Sequence, residues 1–298
     1  MQRTANPFTP VRFRPQPPNI MKIGIIGYGF VGEALASAFK NNVEIFKVDP
    51  KLNTNIDDLK KFSPDTIFIC VPTPMDNDGS IDLSILKTVL NDIKQNSFKC
   101  LIVIKSTIHP DNIKYVEKVT NNFIYNPEFL REKHAKEDFI NSNLIIFGGN
   151  RELADKLSII YSNYTKCKNK DYVYTDAISA SLVKYAMNSF LATKVIFFNE
   201  FKDIFDISGT SESWENFIKI ISIDKRIGDS HMDVPGHDGR LGFGGACFPK
   251  DTKALYSYSE KIQAPLNLLK KAIELNDKIR KSYEDKTGRE SDQNIFFD

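Results

Sequence analysis

Residues 22–32, KIGIIGYGFVG, constrain the fold more than any other stretch of the chain. A β-branched run ends in a Gly-x-Gly-x-x-Gly turn made by Gly27, Gly29 and Gly32. That turn opens an amphipathic segment, FVGEALASAFK (30–40). A strand, a glycine turn and a helix in direct succession begin a βαβ crossover, the context that gives this spacing meaning. Gly27 permits the tight turn, Gly29 lets the backbone approach a pyrophosphate, and Gly32 lets helix and strand pack closely. The phosphates would rest on the positive end of the helix beginning near Phe30, with Tyr28 and Val31 in the same turn. The next apolar run, VEIFKVD (43–49), ends in Asp49. A carboxylate at that strand end accepts hydrogen bonds from ribose hydroxyls and repels a 2′-phosphate, which favours NAD over NADP.

The same alternation continues. DTIFICVP (65–72), LIVIKST (101–107), NFIYNPE (122–128), NLIIFGG (143–149) and DYVYTD (171–176) read as further strands, near-continuously apolar as in a parallel sheet covered on both faces. IDLSILKTVLNDIKQN (81–96) and PDNIKYVEKV (110–119) read as helices between them. A doubly wound, Rossmann-like α/β domain over 21–176 follows. Beyond it the strand pattern stops. AISASLVKYAMNSFLATKVIFFNEFKDIFDI (177–207) keeps a helical period without Gly or Pro, 211–223 is a weaker helix, 224–248 a Gly/Pro/His-rich loop, and 249–282 one or two helices. Residues 177–282 therefore read as an all-helical domain whose long apolar helix suits a dimer core. KTGRESDQNIFFD (286–298) reads as a frayed tail.

A formal net charge of +2 gives no electrostatic case for nucleic acid or a membrane surface, and no apolar run approaches a bilayer span. Cys70, Cys100, Cys167 and Cys247 form no CxxC pair, so neither a metal site nor a disulfide framework is indicated, and a cytoplasmic enzyme is expected. Residues 1–20 carry Arg3, Arg12, Arg14 and five prolines but no apolar h-region, and read as a disordered tail, with Met21 a natural start before the first strand.

Two more strand ends point to the crevice where ligands of such sheets bind, Cys70-Val71-Pro72-Thr73-Pro74 and Lys105-Ser106-Thr107, and the hydroxyls of Thr73 and Thr107 could reach a cofactor or a catalytic water. In NPEFLRE (126–132), Glu128 and Glu132 stand four apart and would share a face if the turn were helical. On the long helix, Lys184 and Asn188 project from one face among apolar neighbours, so an ammonium and an amide there need partners. Finally, LGFGGACFPKD (241–251) sets Cys247 just before a helix whose first turn holds Pro249. Free N–H groups at a helix start, with Lys250 adjacent, would lower the thiol's pKa, and Gly242, Gly244 and Gly245 would let a substrate approach. A nucleophilic cysteine beside NAD suggests an aldehyde trapped as a thiohemiacetal, oxidised to a thioester and hydrolysed.

In order, GYGFVG, CVPTP, KST, NPEFLRE, KYAMNSFLATKVIFFNE, DKRIG and GFGGACFPKD resemble the motifs of the UDP-glucose/GDP-mannose dehydrogenase family, over roughly residues 21–282. The resemblance is nearest to those members that oxidise UDP-glucose to UDP-glucuronate, reducing two NAD per sugar. It implies Cys247 as nucleophile, Lys184 and Asn188 on the C6 oxyanion, and Asp251 and Thr107 on the water or proton of the first oxidation. Glu128 would serve thioester hydrolysis. NAD would lie against Gly27, Tyr28, Gly29, Phe30, Val31, Gly32, Asp49, Val71, Pro72, Thr73 and Thr107, with Glu132 and Lys250 at its nicotinamide end. The nucleotide sugar would lie against Glu128, Phe129, Leu130, Lys184, Asn188 and the loop Gly242-Phe243-Gly244. Arg226 would reach the neighbouring subunit's sugar, which implies a homodimer.

The family continues into a second α/β domain that binds the UDP diphosphate. The resemblance stops where that domain should begin, so a separate UDP-binding chain is one expected partner. The loop 230–245 is also longer than the compact pattern. Two other readings stand beside this one: a β-hydroxyacid dehydrogenase, which shares the NAD domain and a Lys-x-x-x-Asn helix but has no use for Cys247, and a catalytically silent NAD-binding oligomerisation partner.

Overall fold

The computed structural model describes residues 20–298. The expected N-terminal tail, apart from Ile20, lies outside the described residues. Seven strands form one sheet: β1 (Met21–Ile26), β2 (Val43–Val48), β3 (Thr66–Ile69), β4 (Leu101–Ile104), β5 (Phe123–Tyr125), β6 (Ile146–Gly149) and β7 (Val173–Thr175), in the order β2-β1-β3-β4-β5-β6-β7. The order reverses between β1 and β3, which places the ligand crevice at their carboxyl ends. The pairing is parallel except between β5 and β6, where the chain turns antiparallel, so β6 and β7 run against the other five. The doubly wound, Rossmann-like sheet read from the sequence is thus mostly parallel, with one antiparallel junction that the apolar runs do not signal.

Helices α1 (Phe30–Ala38), α2 (Ile56–Phe62), α3 (Ser84–Gln95), α4 (Pro110–Val119), α5 (Ala135–Asn141) and α6 (Arg151–Tyr164) fill the crossovers. One face of the sheet buries Ile67, Ile69, Ile102 and Ile104 against Leu59, Leu86, Leu90 and Ile113. The other buries Ile23, Ile25, Phe68 and Val103 against Leu35, Phe139 and Leu157. Double coverage explains why these strands read as continuous apolar runs rather than alternating ones. α2, α5 and α6 lie outside the helices expected from the sequence; α2 and α5 have only seven residues each, too few to show a helical period. Asn55 and Asn150 cap α2 and α6 through their side chains.

The helical part begins with α7 (Ala177–Ile207), capped by Asp176, whose carboxylate accepts from Ser179 N–H at 2.8 Å. Its first turn is pressed onto the sheet at Gly148, where a Cβ would stand 2.6 Å from that of Ala180. The Ser181 hydroxyl donates to Ile108 O at 2.6 Å. These two contacts fix the rotation of α7, and with it the direction of Lys184 one turn further on. α8 (Trp214–Ser222), α9 (Phe248–Lys261) and α10 (Asn267–Arg280) follow, with α9 and α10 packed on α7.

The frayed C-terminus expected from the sequence is corrected. Thr287 and Glu290 form a reciprocal capping box at the start of α11 (Gly288–Asp292), and both Glu290 and Ile295 are completely buried. Gln293 O accepts from Met75 N–H at 3.0 Å, and Lys253 Nζ donates to Phe296 O at 2.9 Å. The last residues therefore run back over the junction of sheet and helices.

Candidate active site

A cleft of about 840 Å³ opens at the carboxyl ends of β1 and β3. Gly27 takes a φ of +88° and sits against the Cys70–Val71 backbone, where a Cβ would be 2.7 Å from Cys70 O. Gly32 lies beneath it, with no room for a Cβ before Gly27 O at 2.2 Å. Gly29 caps α1 and has open space where its side chain would be. Turn, closeness and approach are thus divided among the three glycines as their spacing predicts. Asp49 ends β2 with Oδ2 accepting from Tyr28 N–H at 2.7 Å and Oδ1 from Lys51 N–H at 2.9 Å, so its carboxylate is held rigid at the rim. Phe30, Val31, Val71, Pro72, Thr73 and Thr107 line the same cleft. An open glycine at a helix start, a fixed carboxylate about twenty residues on and this volume together fit a dinucleotide.

At the inner end of the cleft stand Glu128, Cys247 and Lys250, backed by buried polar groups from α7 and α9. Lys184 Nζ donates to Glu128 O at 2.6 Å and to Glu128 Oε1 at 3.1 Å. Asn188 Nδ2 donates to Asp251 Oδ2 at 2.6 Å, and Lys250 Nζ to Asp251 Oδ1 at 2.5 Å. Burial alone would lower the Lys184 ammonium's pKa. The Glu128 carboxylate, with Cys247 and Asp251 behind it, outweighs that cost and holds it above the ordinary lysine range.

Cys247 is the N-cap of α9, as Pro249 in the first turn predicts. Its protonation corrects the sequence reading: burial, then the Glu128 charge, pushes the thiol up to about 11, against the pull of Lys184 and Lys250. Free amides at a helix start favour a thiolate only where water or a cation offsets its desolvation.

Family models for the UDP-glucose/GDP-mannose dehydrogenases match the chain twice: the NAD binding domain over residues 50–165 and the central domain over 178–278. The chain belongs to the UDP-glucose/GDP-mannose dehydrogenase family. It is 37% identical over 231 residues to the UDP-glucose 6-dehydrogenase of Rickettsia felis, covering 75% of this chain and 50% of that one. With TuaD of Bacillus subtilis, another UDP-glucose 6-dehydrogenase, it shares 33% over 233 residues, 74% of this chain and 48% of the other. The chain thus spans about half the length of the curated relatives it matches. A UDP-glucose dehydrogenase from Pyrobaculum islandicum superposes with a TM-score of 0.70 at 27% identity, covering 88% of this chain and 70% of that one. A Mycobacterium tuberculosis 3-hydroxyisobutyrate dehydrogenase superposes at 0.64 with 15% identity over 93% and 97%, a likeness of fold alone.

In this member of the dehydrogenase family, several residues stand apart from the positions read for them. Glu128 and Glu132 share no helical face. Residues 126–131 are irregular, so Glu128 turns inward to Lys184 while the Glu132 carboxylate pairs with Arg289 on the surface, outside the cleft lining. Phe129 and Leu130 pack behind Glu128 against the two cores of the sheet, and Leu130 N–H donates to Glu128 Oε2 at 2.7 Å. Arg226 is exposed and pairs with Asp224 of its own chain, away from the cleft.

Gly242, Phe243 and Gly244 do not line the cleft either. Phe243 is buried in the helical core, and the missing side chains of Gly242 and Gly244 make room for Asn276 and Arg280 rather than for a ligand. Conversely, Arg289, Asp292 and Gln293, which the sequence places in a frayed tail, line the cleft. The signal that could have found them is Thr287-x-x-Glu290, a capping-box spacing. Among the described residues no cluster of metal-ligating side chains occurs, and no helix is long and apolar enough to cross a membrane.

Proposed function

We propose that this chain is a NAD-dependent nucleotide-sugar dehydrogenase that oxidises the C6 alcohol of UDP-glucose to a carboxylate. The observation that carries the reading is Cys247 at the inner end of a dinucleotide-sized cleft, beside Glu128 and Lys250, with Lys184 and the Asn188–Asp251 pair behind it. NAD, when bound, accepts a hydride in each of the two oxidations. Thr107 and Asp251 hold the water or proton of the first oxidation. Cys247 then adds to the aldehyde carbon to give a thiohemiacetal, and the Lys184 ammonium, with Asn188, stabilises the oxyanion. Because the thiol is mostly protonated near neutral pH, its attack also passes that proton to water in the cleft. After the second oxidation Glu128, as general base, activates the water that hydrolyses the Cys247 thioester, releasing carboxylate and thiol.

The identities to two UDP-glucose 6-dehydrogenases support this substrate over other nucleotide sugars. α7 leaves Phe190, Phe197 and Ile204 exposed by 67%, 57% and 62%, an apolar face suited to a homodimer that would bring Arg226 toward the partner's site. A simple hydroxyacid dehydrogenase would leave Cys247 without a task.

The test is purified protein with UDP-glucose and NAD, counting NADH per sugar consumed. Two NADH are expected, with a loss of at least about a thousandfold in Cys247→Ala. One NADH per small hydroxy acid would support the rival enzyme. NAD binding without turnover of any nucleotide sugar would overturn the catalytic reading.

A further inference from the structure

The loop carrying Cys247 rests on a buried ionic network that the proposed chemistry does not use. Glu290 of α11 is completely buried. Its Oε1 accepts from Gly245 N–H at 3.2 Å and from Arg280 Nη2 at 2.6 Å, while Oε2 accepts from Thr287 N–H at 2.8 Å. Arg280, 2% exposed, donates through Nη1 to Asp238 Oδ2 at 2.8 Å. Its guanidinium fills the space beneath Gly244: a Cβ there would be 2.1 Å from Nη2 and 2.5 Å from Glu290 Oε1. Earlier in the loop, Gly242 N–H donates to Asn199 Oδ1 at 2.9 Å and Phe243 N–H to Asn276 Oδ1 at 2.6 Å.

A run of glycines is intrinsically loose, since each residue has a wide choice of backbone angles. Here three of its amides, those of Gly242, Phe243 and Gly245, meet buried acceptors, and the Gly245 tie is the nearest of these to the thiol. Glu290's neighbour, Arg289, lines the cleft and pairs with Glu132, so α11 meets the cofactor side and the cysteine loop together.

We propose that Glu290, braced by Arg280, is a positioning residue for Cys247: it fixes the Gly244–Gly245 backbone and so holds the thiol at the inner end of the cleft. The inference rests on the reading of Cys247 as the nucleophile, yet it is tested without turnover. Without Glu290, the Gly245 amide loses its acceptor and Arg280 keeps only Asp238 as a carboxylate partner. The loop then opens more often, and the thiol spends more time in water.

The experiment is site-resolved alkylation of Cys247 by iodoacetamide at one fixed pH, read by mass spectrometry of its peptide. NAD affinity and thermal melting are measured on the same samples. Glu290→Ala is expected to speed Cys247 alkylation about tenfold, with NAD affinity within about twofold of the original. Glu290→Gln, which keeps an oxygen for Gly245 N–H, should restore the rate to within about twofold. Thr287→Ala removes only the side-chain cap of α11 and should leave the rate unchanged. A folded Glu290→Ala variant alkylated at the original rate overturns the proposal, as does an equal acceleration in Thr287→Ala. If Glu290→Ala does not fold, Arg280→Lys, which keeps the charge and loses the fork, is read in its place: acceleration supports the proposal and an unchanged rate overturns it. Absence of nucleotide-sugar turnover in the original protein, together with a Glu290-dependent alkylation rate, would sink the dehydrogenase reading and leave the positioning role standing.

Discussion

The outer and inner ends of one cleft are built by different means. The outer end, around Gly27, Gly29 and Asp49, is made mostly of backbone: a turn and a helix start, with one carboxylate pinned by two main-chain amides. The inner end is made of side chains brought from residues 128, 184, 188, 247, 250 and 251, most of them buried and four of them joined in the pairs Glu128–Lys184 and Lys250–Asp251. The free amides at the start of α1 are fixed by the helix itself and face the cleft, so they need no buried partner of their own. Buried ion pairs are expensive unless every partner is present, so the inner end is the fragile half and the one whose protonation depends on its surroundings.

The strongest way to break this contrast is Lys184→Met, which leaves the buried Glu128 carboxylate without its ammonium. Unfolding in urea should show a loss of about 3–5 kcal/mol, with much of it recovered in Lys184→Met/Glu128→Gln. A single-variant cost under about 1 kcal/mol would mean that the pair is not ionised as described.

Next in size is the thiol. With Cys247 pushed up to about 11, its alkylation near neutral pH should run on the order of a hundredfold below that of an ordinary cysteine. The sign follows from the raised value: the folded protein favours the protonated form, so the rate should climb steadily as pH rises toward 11. A plateau reached near neutral pH would show that the helix start and the two lysines prevail over burial.

The smallest effect separates packing from approach at the outer end. Gly32→Ala places a methyl 2.2 Å from Gly27 O and should cost about 1–3 kcal/mol of stability. Gly29→Ala meets nothing within 4 Å, so it should leave the melting temperature near its original value while weakening NAD binding. Equal stability losses in both variants would mean that the two glycines do the same job.

Particular residues show what was legible. The strand, glycine turn and helix of residues 21–38, the full 31-residue length of α7 and the placement of Cys247 before Pro249 could all be read from the chain, because period, β-branching and the special angles of Gly and Pro act locally. The i, i+4 spacing of Lys184 and Asn188 told that they share a face, but not which acids would meet them. Spacing misled at Glu128 and Glu132, where no helix forms, and at Gly242 and Gly244, whose empty positions are occupied by Asn276 and Arg280.

By itself the sequence determined a doubly wound α/β sheet with a dinucleotide turn, a helical domain and a cysteine at a helix start. Only the tertiary structure decided that Lys184 faces Glu128, that burial keeps the thiol protonated, and that α11 folds back beneath the cysteine loop. The physical reason is range. Backbone geometry follows from neighbours in the chain, whereas desolvation and charge pairing depend on which distant side chains exclude water from the same point.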